Sequence, residues 1–131
     1  MNKRMARELQ NLPGTLDGNQ YILNPNVFFQ LSNKYPFSPP ILNIYSKDHI
    51  SCLAKLYSQY KPFINQYNVP MECICCFSVT CRWSPCNTCK EVYDEYLLYC
   101  TMLKQIISTS YFFKRAPFDD CVNSQIASYL W

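Results

Sequence analysis

Glycine is nearly absent from this chain, with two residues in 131. A phosphate-cradling loop needs several positions where backbone meets ligand without a Cβ, so nucleotide hydrolysis of that kind is excluded. Long apolar runs are missing as well. No stretch approaches the roughly 18 residues of a membrane span. The opening Met1-Asn2-Lys3-Arg4-Met5-Ala6-Arg7-Glu8 lacks the apolar core of a secretory signal. Charge is sparse, with 16% of residues charged and a net of +3. That balance is too mild for a nucleic-acid partner, and the positive side chains sit mainly toward the two ends. Repeats and low-complexity tracts are also lacking.

What the chain has in quantity is apolar surface and thiols. It is 49% apolar and 16% aromatic, more than a disordered chain carries. At this length it forms one domain, residues 1–131, and folding removes roughly two-thirds of its unfolded surface from water. Nine cysteines form an odd set, and with no signal peptide they are expected to be free thiols in a reducing, intracellular compartment, cytoplasmic or nuclear.

Hydrophobic spacing predicts an α+β domain. Asn2 to Leu12 reads as a helix with Met5, Leu9 and Leu12 on one face, Lys3, Arg4 and Arg7 on the other, and Pro13-Gly14 as its stop. Thr15 to Gln20 reads as a polar loop. Tyr21 to Leu31 is strand-like, firmest over Val27 to Leu31. Tyr35 to Pro40 must be irregular, because its three prolines lock φ and remove ladder donors. Ile41 to Tyr45 alternates like a strand. Asp48 to Ile64 changes to a helical period, capped by Asp48 or Ser51 and frayed by Pro62. Cys73 to Val79 reads as a strand again, with Cys76 on the opposite face from Cys75 and in the core. Thr88-Cys89-Lys90-Glu91 is a capping box. It opens a long helix whose stripe of Val92, Tyr96, Tyr99/Cys100, Leu103 and Ile106/Ile107 marks it as the central core helix. Asp119 or Asp120 then caps a short last helix with Ile126, Ala127 and Leu130.

Two stretches carry more than pattern: Tyr35-Pro36-Phe37-Ser38-Pro39-Pro40, and Ile74-Cys75 running to Trp83-Ser84-Pro85, with the tryptophan eight residues after the cysteine. Together with the basic first helix and with Asp119-Asp120 followed by Ile126-Ala127, they occur in the order found in ubiquitin-conjugating enzymes. The chain resembles that family over most of its length. The resemblance implies a UBC-like fold with an N-terminal helix, a reduced antiparallel sheet trimmed by one or two strands, an inserted helix, a central long helix and a short C-terminal helix. It implies that Cys75 carries ubiquitin or a ubiquitin-like modifier as a thioester and passes it to a lysine. Asp120 matches the acidic residue near that lysine. Phe37, Ser84 and Pro85, with Cys86, match the patch that receives RING-type ligases, and Lys3, Arg4 and Arg7 match the helix face that meets the activating enzyme and the ligase. No cofactor is implied.

The chain also departs from the family. Its His-Pro-Asn motif is not present as such. Measured forward from Pro40, the asparagine slot falls on Cys52; measured back from Cys75, it falls on Tyr67, so an insertion of about 15 residues lies between. His49-Ile50-Ser51 is a remnant on one side, and Asn68 is the best amide to replace the oxyanion donor, with Ser51 and Asn65 as the others. Phe77 stands two residues after the cysteine, where the family often has an aspartate. Losing one oxyanion donor costs about 2.7–4 kcal/mol of transition-state stabilisation, which slows lysine transfer without preventing loading. An unperturbed thiol near pKa 8.5 still accepts an acyl group by exchange from another thioester. Two other readings stand beside this one. The domain can be a catalytically inactive variant that binds ubiquitin or partners. Or Cys73-x-Cys75-Cys76, Cys81 and Cys86-x-x-Cys89 can hold structural zinc in a binding module, although the usual second Cys-x-x-Cys is missing.

Overall fold

A computed structural model describes residues 2–115 and 120–131. Helix α1 (Lys3–Leu9) starts where Asn2 Oδ1 accepts from the amides of Arg4 (2.9 Å) and Met5 (3.2 Å). The helix proper stops at Leu9 and turns follow, yet Leu12 is still buried with Met5 and Leu9, as the spacing predicts. Tyr21 Oη then ties down the chain leaving α1, donating to the carbonyls of Leu12 (2.6 Å) and Gly14 (3.1 Å). Gly14 has no room for a side chain, since a Cβ there would lie 2.6 Å from the Ile22 carbonyl oxygen.

Five antiparallel strands follow in sequence order, β1 (Thr15–Asp17), β2 (Gln20–Asn24), β3 (Val27–Gln30), β4 (Ile41–Ile44) and β5 (Lys47–Asp48). The sheet is therefore fuller than the reduced one expected, and Thr15–Asp17 is an edge strand where a loop was expected. The reason is the second glycine. Gly18, at φ +58°, makes a two-residue turn with Asn19 that returns β1 onto β2 with Asp17 opposite Gln20. The single strand expected over Tyr21 to Leu31 is broken into β2 and β3 by Pro25-Asn26, with Asn24 opposite Val27. Tyr21 pairs with Phe29, and Phe29 with Leu42, so one sheet face buries all three. Fully burying a ring such as Phe29 contributes about 1.5–3 kcal/mol.

Helix α2 (His49–Gln66) begins at Asp48, whose Oδ1 accepts from the Ile50 amide (3.2 Å). It runs past Pro62 without fraying and ends in a Schellman motif. Tyr67 is the C-cap, Asn68 takes the left-handed conformation at φ +52°, and the Val69 amide reaches the Ile64 carbonyl at 3.0 Å. Val69 and Ile64 are both buried in the same cluster, the apolar contact that goes with this motif. Residues 74–77 form a single helical turn, α3 (Ile74–Phe77), and not the strand expected over Cys73 to Val79. Ile74 is completely buried while Cys75, Cys76 and Phe77 are exposed, so Cys76 is not a core residue. One apolar anchor per helical turn suffices to seat the segment, and strand alternation was a false reading of a short apolar run.

Helix α4 (Cys89–Arg115) is the central element. Its first turn packs Cys89 and Val92 against α1 and the sheet, and its second half packs Leu103 and Ile106 against α2, Met71 and Ile74. Helix α2 thus builds a second core on α4 and is not an appendage. The Thr88 half of the capping box forms, with the Glu91 amide 3.2 Å from Thr88 Oγ1, while the Glu91 carboxylate accepts from Asn87 Nδ2 at 2.7 Å. Helix α5 (Asp120–Leu130) buries Asn123 and Ala127, with Ile126 half-buried and Leu130 exposed, so its inner face is offset from the one expected. Asp119, the other cap considered, lies outside the described residues.

Two outcomes follow from these elements. A non-glycine residue in the left-handed region costs about 1–2 kcal/mol, least for asparagine. Asn68→Ala should therefore lower unfolding free energy by about 1 kcal/mol, while Asn68→Gly should be neutral or stabilising in urea titrations. His49, 1% exposed, sets Nδ1 3.2 Å from the Leu42 carbonyl oxygen and 3.4 Å from Asp48 Oδ1. Burial lowers its pKa below the ordinary value, against the opposing pull of Asp48. The unfolded chain takes up that proton first, so stability is intact above about pH 6.5 and falls as pH drops through the lowered folded value. Urea midpoints should show this loss, and His49→Gln should flatten it.

Candidate functional site

Tyr35 is 1% exposed and lies at the centre of the site. Its hydroxyl donates to a Glu8 carboxylate oxygen, and Glu8 Oε1 also accepts from the Cys89 amide at 3.3 Å. Arg4 Nε stands 3.4 Å from Glu8 Oε2, and its guanidinium lies 5.5 Å from the Tyr35 ring centroid. Burial first, and then the bond to Glu8, push the Tyr35 hydroxyl pKa well up. Burial likewise pushes the Cys89 thiol up to about 12. The Tyr35–Pro36 peptide bond is cis.

Trp83 packs at a tilt against this buried node. Its ring centroid lies 5.7 Å from that of Tyr35, and Nε1 donates to the Pro36 carbonyl at 2.7 Å. The proline-rich turn and the Trp83-Ser84-Pro85 turn are thereby fastened together. Asn87 Oδ1 closes the second turn on the Ser84 amide (2.9 Å), and Arg4 Nη2 reaches the Asn87 carbonyl (3.0 Å). With Tyr35 and Trp83 facing inward, Phe37 is left 82% exposed, and Ser84, Pro85 and Cys86 are exposed as well. Lys3 and Arg7 are exposed on α1, whereas Arg4 is half-buried and committed to Glu8 and Asn87.

Cys75 is exposed on α3, beside two other thiols. Its Sγ lies 2.9 Å from Cys73 Sγ and 3.7 Å from Cys76 Sγ. Hydrogen bonds from neighbouring thiols stabilise one thiolate in the group. Cys73 is lowered chiefly by its bond with Cys75, and Cys75 is pushed up to about 12, first by its hydrogen bonds to Cys73 and Cys76 and then by their charges. Cys73 therefore ionises before Cys75. The segment after α3 is pinned by Glu95, whose two carboxylate oxygens both lie 3.1 Å from the Val79 amide; burial raises its pKa. Phe77 stacks under Arg82 at 4.5 Å and borders an open hollow of about 520 Å³ with Met71, Leu98, Tyr99 and Met102.

Asn68 and Asp120 do not join this group. Asn68 serves as the helix-ending residue of α2 and borders a hollow with Ser124, Ser128 and Trp131 of the C-terminal segment. Asp120 borders another of about 540 Å³, with Tyr60, Phe113, Lys114 and Asn123. Measured along α4 at 1.5 Å per residue, that hollow is about 19 Å from the one beside Phe77. The cause is α2, which separates the end of the sheet from α3 and takes the far half of α4. His49 is a buried packing residue with Tyr96 at its edge, 6.4 Å between centroids. Tyr67 packs between Phe63 and Phe113, at 4.7 and 5.0 Å.

Among the described residues, the group of thiol, imidazole and carboxylate side chains able to share a metal ion is Cys73, Cys75 and Cys76. The Cys86-x-x-Cys89 half-site is not formed, since Cys89 is buried against Tyr35 and Glu8 while Cys86 is exposed in its turn. Sequence reasoning missed Glu8, Glu95 and the leading role of Cys73. Glu8 and Glu95 look like ordinary helix-surface carboxylates until the loops they hold are folded onto them; Cys73 was visible only as part of Cys-x-Cys-Cys.

No protein-family model, curated protein or solved structure matches this chain.

All nine cysteines are free, so their reactivity can be ranked. Brief alkylation at neutral pH, read by peptide mass spectrometry, should label Cys73 before Cys75. Cys89 should stay unmodified until the protein unfolds. Equal rates at Cys89 and Cys73 would contradict the burial and the ionisation order described above.

Proposed function

We propose that this chain is a ubiquitin-conjugating-type domain whose Cys75 accepts ubiquitin, or a ubiquitin-like modifier, from an activating enzyme and transfers it to a lysine. The observation that carries this reading is the pairing of two distant motifs. Trp83 binds the Pro36 carbonyl at 2.7 Å, joining the turn that bears Phe37 to the turn that bears Ser84 and Pro85, with an exposed thiol eight residues upstream of Trp83. A carrier needs such a thiol at the surface beside a rigid docking face.

The chemistry is thioester exchange. Cys75 Sγ bonds to the modifier's carbonyl carbon, the bond from that carbon to the activating enzyme's sulfur breaks, and the departing sulfur takes up a proton. Cys75 must shed its own proton, and the group placed to receive it is Cys73 Sγ, 2.9 Å away, in the fraction of molecules in which that thiol has ionised. Asn68 ends α2 and Asp120 opens α5, and neither is given a role in this step. Transfer to lysine then proceeds without a side-chain amide at the carbonyl, so discharge is slower than loading.

A second reading is favoured by two observations. Phe37 is 82% exposed, and the Cys75 thiol is held up at about 12. A non-catalytic domain that docks a RING-type ligase, or ubiquitin itself, through Phe37, Ser84 and Pro85 needs only the first. Incubation with activating enzyme, ATP and ubiquitin, followed by a non-reducing gel, separates the two. The carrier reading expects a thiol-sensitive adduct that vanishes in Cys75→Ser and slows in Cys73→Ser. Phe37→Ala should leave loading intact and weaken ligase-stimulated discharge about tenfold or more, as loss of an aromatic hot spot does. An absent adduct, under conditions that charge a control conjugating enzyme, rejects the carrier. The docking reading then rests on whether Phe37→Ala weakens ligase binding.

A further inference from the structure

Three thiols meet on one turn of the chain. Cys73 is the N-cap residue of α3, and Cys75 and Cys76 are its second and third residues. All three Sγ atoms lie within 4.8 Å of one another. Between them stands Ile74, wholly buried in the core shared with Leu103 and Ile106. Seating that one side chain turns Cys75 and Cys76 to the surface, with the half-buried Cys73 against them. The thiol cluster is thus held from below by apolar packing and does not depend on the metal to form.

We propose that Cys73, Cys75 and Cys76 form a three-thiolate site for a thiophilic metal ion, Zn²⁺ in the first place, with the remaining coordination position open to solvent. A tetrahedral ion with Zn–S bonds of about 2.3 Å spaces its sulfurs about 3.8 Å apart. The pair Cys75–Cys76 already stands at 3.7 Å, and Cys73–Cys75, at 2.9 Å, must open by less than an ångström. Rotation about χ1 of an exposed cysteine supplies that movement. Sulfur ligands select zinc or Cu⁺ over magnesium and calcium. Binding exchanges three S–H protons for one ion, so a neutral trio and a dication become a complex of net charge −1. Arg82, stacked on Phe77, places a cation in the same segment.

The consequence for acyl transfer rests on the carrier reading above, but the metal site does not. Metal and modifier both need Cys75 Sγ, so occupancy by one excludes the other. Zinc on the trio would hold the carrier in an unloadable form, and chelation would release it.

The test uses the full chain reduced with a phosphine, titrated with Zn²⁺ against a chromophoric chelator and with Co²⁺ as a spectroscopic probe. One ion per chain, release of about three protons, and thiolate-to-cobalt absorption are expected. Cys73→Ser, Cys75→Ser and Cys76→Ser should each weaken binding by at least ten- to a hundredfold, since even outer-shell partners of a metal carry that much. Their circular dichroism should match the parent protein, and Cys86→Ser should bind normally. Absence of stoichiometric zinc, binding retained when all three are serine, or binding lost in Cys86→Ser each overturns the site. Uptake of Cu⁺ alone overturns the assignment to zinc. Zinc binding without thioester formation by the metal-free protein rejects the carrier and leaves the metal site standing. Thioester formation indifferent to saturating zinc overturns the mutual exclusion.

Discussion

The Glu8 carboxylate joins three parts of the chain that are far apart in sequence. It accepts from the Tyr35 hydroxyl and the Cys89 amide and pairs with Arg4. Tyr35 is buried, and a buried hydroxyl without a partner costs about 1–3 kcal/mol. The carboxylate therefore both satisfies the ring that anchors the proline-rich turn and fixes the first turn of α4. Trp83 can pack on Tyr35 only because that ring is held there, and Trp83 in turn fastens the Ser84–Pro85 turn to Pro36. The exposure of Phe37 is the outward side of the same packing.

A second constraint runs along α4. Its N-terminal part belongs to the core made by α1 and the sheet, and its later turns to the core made by α2 and α3. The segment from Asp48 to Val69 is self-contained because it brings its own apolar face and its own ending. Asp48 starts it, the left-handed Asn68 stops it, and the Val69–Ile64 contact seals it. The cost falls on the site. The segment carrying Asn68 is used to end a helix and Asp120 is drawn to the far end of α4. Cys75 is left with other thiols as its neighbours. A thiolate neighbour can take a proton, and three thiolates can take a metal, so the same turn supports both chemistries and cannot perform them together.

Much of the fold was legible in the residues. The Met5, Leu9, Leu12 face, the stripe on α4, the Thr88 cap and the helical period after Asp48 all rest on local spacing, and each recurs in the structure. The exposure of Phe37 was not legible, since an aromatic beside prolines can equally be buried; the inward packing of Tyr35 and Trp83 is what leaves it outside. The failures share a cause. Residues 74–77 are too short for periodicity to separate a strand from a helical turn, and burial of Ile74 alone decided the outcome. The edge strand Thr15–Asp17 has exposed side chains, so no apolar alternation announced it. Asn68 was read for its amide, whereas its backbone conformation is what the structure uses.

The sequence by itself determined the long helices, the α+β class and the spacing between Cys75 and Trp83, because these depend on neighbours within a few residues. Only the tertiary structure decided which carboxylates hold the loops, which thiols share a surface and which ones are shut away. Glu8 and Cys89 lie 81 positions apart and Trp83 and Pro36 lie 47 apart, and no local pattern encodes a hydrogen bond across such distances. Those contacts form when the apolar faces of α1, α4 and the sheet close on one another, and polar groups carried into that interior must find partners there.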